Sequence, residues 1–415
     1  MAPPISTITA KAAAKKAAVF TAGRAAFQPR QTYEVSSDIP RSFYLGHHRA
    51  GLERMRQTLA TIGLIIECRD FRVPITCWNQ HLEQSLAATA PSERARIIVY
   101  THRDLGPDIT PSPTIPSLSE TAARHLRDFH LQNKHANEVL FTGTSSGNST
   151  SYKPPIKALL TAIKSVARQR DSLTGLRALV VGMPNAGKST LLNNLRRVFA
   201  HKRGGGAVPK VARTGAEPGV TRKLSNPIRV VGAEGKSRAS DASLEGVGEG
   251  VFVVDTPGVF VPYIGDPEKM VKLALVGCVR DGIIPRETLA DYLLYRLNLA
   301  GVYEQRAYMA RLRMDAPTND VTEFLTAVAM RVGKLGQGGR PNLLAAAEWV
   351  VQEWRSGGIG KAILDDVTPE TLAKAMEEAK ETELSMNQAK KREKEARKAR
   401  NEAKRSGVAG GGDGD

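Results

Sequence analysis

Apolar positions along the chain bunch into short runs rich in branched residues, separated by longer stretches whose apolar residues recur at helical spacing. The runs are Gly63-Leu64-Ile65-Ile66-Glu67, Arg96-Ile97-Ile98-Val99-Tyr100, Glu138-Val139-Leu140-Phe141, Leu176 to Val181 and Val251 to Val254, each read as a strand. Strands alternating with helices predict a three-layer α/β fold with a mostly parallel sheet, whose ligands sit beyond the carboxyl ends of the strands. Between Val231 and Gly250 a stretch rich in Gly, Ser and Ala has no periodicity and reads as an exposed excursion between two strands. After Pro262 the branched runs stop, and Pro285 to Leu299 and Leu343 to Trp354 carry apolar residues at helical spacing, which predicts a small helical domain. Beyond about residue 368 the chain becomes rich in Lys, Glu and Ala, and Gln388 to Arg405 holds nine basic against three acidic residues, the pattern of a solvated helix or a disordered tail. The expected organisation is a basic leader over 1–33, an α/β domain over 34–264, a helical domain over 265–368 and a charged tail over 369–415.

Length changes this picture little: 415 residues with 41% hydrophobic composition are enough for two folded units. Charge adds more. A formal net charge of +17 favours a polyanionic partner, because Lys and Arg release counterions from phosphate; nucleic acid and anionic membrane surfaces both qualify. No apolar run approaches the roughly 18 residues needed to span a bilayer, so membrane contact is expected to be peripheral. Cys68, Cys77 and Cys278 form no C-x-x-C pair, and they read as core or incidental thiols rather than a disulfide or zinc framework. The leader carries Lys11, Lys15, Lys16, Arg24 and Arg30 and no acidic residue before Glu34, the composition of a mitochondrial transit peptide; an uncleaved basic arm that binds RNA has the same composition.

The chemistry concentrates at strand ends. Residues Ala178 to Val181 run into Gly182-Met183-Pro184-Asn185-Ala186-Gly187-Lys188-Ser189 and then into a helical Thr190-Leu191-Leu192, the pattern and context of a phosphate-binding loop. Its glycines let backbone N–H groups close around phosphates, Lys188 reaches the β- and γ-phosphates and stabilises developing charge, and Ser189 offers its hydroxyl to Mg²⁺. After the run Val251 to Val254 comes Asp255-Thr256-Pro257-Gly258, in which the carboxylate supports the Mg²⁺ shell and the Gly258 N–H meets the γ-phosphate. Between them, Pro218-Gly219-Val220-Thr221 follows a basic, glycine-rich loop, and Thr221 can supply the second Mg²⁺ hydroxyl. Reading guanine needs a carboxylate that accepts from N1–H and the exocyclic amine. No strand after Gly258 ends in such a motif, but the one over Arg96 to Tyr100 ends in Thr101-His102-Arg103-Asp104, with His102 where a Lys is usual and with His102 or Arg103 available to stack on the base. The following strand ends in Phe141-Thr142-Gly143-Thr144-Ser145, a loose match to a base-backing loop.

This order, guanine motif first and phosphate loop second, resembles the circularly permuted YlqF/RbgA family of ribosome-assembly GTPases. The segment Arg41-Ser42-Phe43-Tyr44-Leu45-Gly46-His47-His48 is similar to that family's Trp-Phe-Pro-Gly-His-Met segment, with Leu45 in place of the Pro, and Ile66-Glu67-Cys68-Arg69-Asp70-Phe71-Arg72-Val73-Pro74 is similar to its Asp-Ala-Arg-x-Pro strand end. The resemblance covers roughly residues 40 to 262 in motif order. It implies GTP hydrolysis in a P-loop GTPase fold with permuted motifs and a C-terminal helical domain. Val259 and Phe260 cannot orient water, so the resemblance assigns that task to His47. It also places Asn185, with Ala186, Gly187 and Thr190, at the phosphates, with Asn185 helping to hold K⁺ beside them. The implied partner is the maturing mitochondrial large ribosomal subunit and its rRNA, in the matrix or peripherally at the inner membrane; DNA is not an expected partner. Three other readings fit the same residues: a cytosolic or nucleolar assembly GTPase, a membrane-recruited switch, and an RNA-binding protein with a degenerate nucleotide site.

Overall fold

The structure of the chain is a computed structural model that describes residues 27–36, 38–40, 53, 55–87, 94–108, 116–143, 153–170, 174–202, 225–233, 245–258, 264–380 and 391. In chain order its elements are β1 (Leu64–Asp70), α1 (Gln80–Ala87), β2 (Ala95–Thr101), α2 (Leu118–Gln132), β3 (Glu138–Phe141), α3 (Lys153–Arg170), β4 (Leu176–Gly182), α4 (Lys188–Lys202), β5 (Ile228–Val231) and β6 (Val251–Asp255). The later elements are helical: α5 (Pro267–Leu275), α6 (Arg286–Leu299), α7 (Val302–Leu312), α8 (Val321–Val332), α9 (Leu343–Arg355) and α10 (Pro369–Lys380). The strands form one sheet in the order β3-β2-β1-β4-β6-β5, with every neighbouring pair parallel except β5 and β6.

Alternation along each strand explains the layers. Leu64, Ile66 and Cys68 of β1 face one side with Ala178 and Val180 of β4, against Leu159 and Ile163 of α3 and Leu192 and Leu195 of α4. Ile65, Leu179 and Val181 face the other side, against Met55, Leu59 and Leu82 of α1, while Ile98, Tyr100 and Val139 meet Ala122 and Leu126 of α2. A parallel sheet covered on both faces favours strands that are near-continuously apolar, which is the pattern read from the sequence. The predicted three-layer arrangement is the one observed.

Strand β1 runs three residues beyond its apolar stretch. Glu67, Arg69 and Asp70 are each about 1% exposed, so polarity did not end the strand. Their charges are met inside: Arg69 Nε donates to Glu67 Oε1 at 2.7 Å, Arg96 of β2 reaches both Glu67 and Glu83 of α1, and the Arg69 guanidinium lies 4.5 Å from the Trp78 ring centroid. Burial pushes the Glu67 carboxyl upward, but Arg69 and Arg96 outweigh it and hold it at about 2. Strand β5 escaped the sequence reading because it is a four-residue edge strand, half-buried at Ile228 and Arg229 and irregular in register between Arg229 and Val231.

In the helical part α6 is central: Tyr292, Leu293 and Leu297 are buried with Phe324 and Val328 of α8 and Val350, Val351 and Trp354 of α9. That core is continuous with the α3 and α4 face of the sheet. Asp266, Asp320 and Asn342 cap α5, α8 and α9 by accepting backbone N–H bonds. Two expectations meet packed structure at their edges. Of the leader over 1–33, residues 27–33 are seated on the helical part, where Arg30 pairs with Asp291 at 2.6 Å and Tyr33 stands edge-on to Tyr292. The charged tail expected from 369 opens with α10, which buries Leu372 against the α2 side of the sheet and pairs Glu378 with Lys269 at 2.8 Å. Residues 1–26 and, apart from Lys391, the basic run 388–405 lie outside the described residues.

Candidate nucleotide site

The carboxyl ends of β4, β6, β2 and β3 lie along one edge of the sheet, and each delivers a motif there. Strand β4 ends at Gly182, whose φ of 142° and closeness to the Cys68 carbonyl oxygen leave no room for a side chain. The loop then turns through Asn185 and Gly187, both at positive φ (56° and 80°), and enters α4 at Lys188. The Lys188 ammonium is buried and donates to the carbonyls of Gly182 (3.2 Å) and Met183 (2.7 Å). Burial lowers its pKa while Asp255 pulls it back up, so it is a charge held in a low-dielectric pocket beside the loop. Ser189 and Thr190 follow in the first turn of α4, half-buried.

Asp255 ends β6 and is about 1% exposed. Its Oδ2 accepts from Ser189 Oγ at 2.8 Å, and its Oδ1 is buried with no partner among the described residues. Burial raises its pKa, opposed by Lys188 and by the Ser189 hydrogen bond. An orphaned carboxylate oxygen beside a hydroxyl is a hard oxygen donor set of the kind Mg²⁺ takes. Thr256 Oγ1 donates to Val180 O at 2.7 Å and fixes the turn that follows. Gly258 lies against Pro184, where a Cβ would sit 2.7 Å from the Pro184 backbone nitrogen. Both phosphate motifs are therefore packed against each other. Ser225 accepts from Asp255 N at 2.8 Å, so the chain that leaves the 203–224 segment returns to the Asp255 strand end; Thr221 within that segment, like His47, lies outside the described residues.

The motif 85 residues upstream of the phosphate loop meets it directly: Thr101 Oγ1 donates to Ala186 O at 3.1 Å and is the nearest side chain to Gly187. His102 follows in the left-handed region with φ 58°, its Nδ1 3.0 Å from Thr101 Oγ1 and 3.2 Å from Asp70 Oδ2. Asp70 is held in turn by Arg72, which donates Nη2 at 2.7 Å and Nε at 3.0 Å. Burial pushes the Asp70 carboxyl up, but Arg72 and His102 hold it well below the ordinary range. Arg103 pairs with Asp108 at 2.6 Å and lies 5.1 Å from the Phe71 ring centroid. The substituents expected to stack on a base, His102 and Arg103, are thus engaged by Asp70 and by Asp108 with Phe71. Asp104 is half-buried in the short turn that follows. Thr142 and Gly143 join this edge because Thr142 N donates to Tyr100 O at 2.8 Å and Arg103 N donates to Thr142 O at 2.9 Å.

The helical part also touches the loop, which the sequence did not reveal. Asn185 Nδ2 donates to Gly277 O at 2.7 Å, and Cys278 Sγ donates to Pro184 O at 3.0 Å. Burial pushes the Cys278 thiol up to about 12, so it stays protonated and able to donate. Arg355 of α9 holds the same turn through Leu275 O (2.8 Å) and Ala274 O (2.7 Å). Cys278, read as a core or incidental thiol, is buried in the core and is also a contact between the helical part and the phosphate loop. A lone Cys carries no spacing signal that could have announced this.

A phosphate loop on the central strand, a carboxylate on its neighbour and a guanine-type motif that precedes both in sequence define a P-loop GTPase with circularly permuted motifs. Residues 177–310 match the family described as 50S ribosome-binding GTPase. The chain is 33% identical over 336 residues to Mitochondrial GTPase 1 of Schizosaccharomyces japonicus, covering 79% of this chain and 91% of that one. It is 32% identical over 354 residues to Mitochondrial ribosome-associated GTPase 1 of Mus musculus, covering 82% and 94%. It is also similar to the GNP-bound structure of YlqF from T. maritima, at 20% identity and a TM-score of 0.42 over 74% of this chain and 94% of that one. The chain belongs to the mitochondrial GTPase 1 family, and it is a GTP-hydrolysing enzyme.

Proposed function

We propose that this chain couples GTP hydrolysis to assembly of the mitochondrial large ribosomal subunit, binding pre-ribosomal particles and their rRNA in the matrix. The observation that carries the GTPase part is the convergence of Lys188, Ser189, Asp255 and Thr101 on one sheet edge from three separate strands. The ribosomal part is supported by the relatives named ribosome-associated and by a net charge of +17, which suits phosphate neutralisation. In this reading the loop N–H groups, Lys188 and Gly258 bind the phosphates, and Asp104 reads the guanine edge with Thr101, Thr142 and Gly143 shaping its pocket. Ser189, Thr221 and Asp255 hold Mg²⁺, which neutralises β- and γ-phosphate charge. His47 orients the attacking water, and Asn185 contributes to a K⁺ site. Because His102 is tied to Asp70, guanine selectivity falls on Asp104 rather than on a stacked side chain.

The test is co-sedimentation of the full-length protein with isolated mitochondrial large subunits. Bound to a non-hydrolysable GTP analogue the protein is expected in the particle fractions, and bound to GDP it is expected to remain free. Equal partitioning in both nucleotide states, or none in either, contradicts the proposal.

A further inference from the structure

The turn joining α8 to α9 is built unlike the rest of the helical part. Residues 333–340 are all exposed, yet the segment is held in a fixed conformation by backbone bonds. Lys334 N donates to Ala329 O at 2.9 Å, Gly336 N to Arg340 O at 2.8 Å, and Asn342 N to Lys334 O at 2.9 Å, with a bridge between Leu335 and Pro341. Gly333, Gly338 and Gly339 sit at φ near 70°, and a Cβ at any of them would meet nothing within 4 Å. The glycines serve the backbone conformation and leave a bare ridge that another backbone can approach closely.

Charge on this ridge has one sign. Arg331, Lys334 and Arg340 are exposed, and no acidic residue occurs between Glu323 and Glu348. Among the described residues no carboxylate pairs with any of the three, whereas Arg296, Arg311 and Arg355 nearby pair with Asp366, Glu353 and Asp281. Beside the cations Met330, Leu335 and Leu344 are 62%, 45% and 57% exposed, which adds apolar surface to a positively charged strip. The backbone that carries the cations is already fixed, so binding orders only their side chains, and a strip of unpaired like charges suits a ligand with repeated negative charge.

We propose that the Arg331, Lys334 and Arg340 turn is a docking contact for the sugar-phosphate backbone of RNA. The three cations neutralise phosphates, and Leu335 and Met330 pack on the adjoining riboses or bases. This rests on the ribosomal reading above and deepens it by naming the surface and the chemical group it grips. The test uses full-length protein carrying Arg331→Gln, Lys334→Gln and Arg340→Gln together, bound to mitochondrial large-subunit rRNA and to intact large subunits over a series of KCl concentrations. Each lost phosphate contact removes about 0.7–0.9 from the slope of log affinity against log salt. The slope is therefore expected to flatten by about 2, with affinity down by roughly tenfold or more near physiological salt. Intrinsic GTP hydrolysis without RNA is expected to be unchanged. Unaltered affinity and slope on RNA, while the unmodified protein binds, overturn the docking contact alone. Failure of the unmodified protein to bind RNA or particles overturns the ribosomal reading and this contact with it. Loss on particles with unaltered binding to free rRNA reassigns the turn to a ribosomal protein. Loss confined to phosphatidylcholine vesicles containing cardiolipin reassigns it to a membrane surface, and each of these last two outcomes also overturns the proposal.

Discussion

Replacing Asp255 by Asn separates a metal-binding carboxylate from a structural one. Among the described residues the buried Oδ1 has no partner, and a buried polar group left unsatisfied costs about 1–3 kcal/mol. The attraction between Asp255 and Lys188 offsets part of that, and Asn keeps an oxygen able to accept from Ser189. The nucleotide-free variant is therefore expected to unfold within about 1 kcal/mol of the original protein, or above it. Nucleotide with Mg²⁺ at about 100 times its Kd stabilises the original protein by about 2.7 kcal/mol. At about 2–4 °C per kcal/mol that raises Tm by about 5–10 °C, and in the variant the rise should nearly vanish. The pH dependence follows from the raised carboxyl. A carboxyl with a raised folded-state pKa binds its proton more tightly in the folded chain. Its stabilising contribution is full below the unfolded value near 3.9 and is lost as pH rises through the folded one. The Asn variant should lack that component. Thermal melts with and without Mg²⁺ and GDP decide the matter: a variant that is much less stable alone but keeps the full nucleotide-induced rise would refute the metal assignment.

Gly258→Ala forces a Cβ to within 2.7 Å of Pro184 backbone atoms that cannot swing aside, so GTP turnover is expected to fall by more than about tenfold while circular dichroism stays unchanged. Glu67→Gln leaves Arg69 and Arg96 sharing Glu83 as their one remaining carboxylate, and urea unfolding should show a loss of about 1–3 kcal/mol. Because Glu67 is held at about 2, the stability it contributes is present above the unfolded carboxylate value and is lost as pH falls toward 2; the Gln variant should lack that component.

The strands that hold the nucleotide edge were legible because parallel strands covered on both faces favour near-continuous apolar runs, and β2, β3, β4 and β6 end within a residue or so of those runs. Strand β1 continued past its run because Glu67, Arg69 and Asp70 find their counter-charges in three dimensions, and pairing with Glu83, Arg96 and Arg72 has no sequence periodicity. The phosphate loop was legible for a local reason: its glycines, Lys188 and Ser189 all act within one turn of chain. Its contact with Thr101 joins residues 85 apart, and only the motif order hinted at it. The Gly277 and Cys278 contacts join residues 92 and 94 apart through one carbonyl and one thiol, groups that carry no pattern. The α8 to α9 turn carries no periodic signal in the sequence, because its fixed conformation depends on backbone bonds.

The central claim is that Asp104, placed before the phosphate loop in sequence, reads guanine for that loop. The direct test is a competition titration of GTP against xanthosine triphosphate on the original protein and on Asp104→Asn. Asn replaces a charged acceptor by one amide oxygen and offers N–H donors where the carboxylate accepted, so GTP should weaken by about 1.5–3 kcal/mol. Xanthosine triphosphate, which carries a carbonyl oxygen in place of the exocyclic amine, should gain correspondingly. An unchanged preference for GTP in the variant would contradict the permuted assignment.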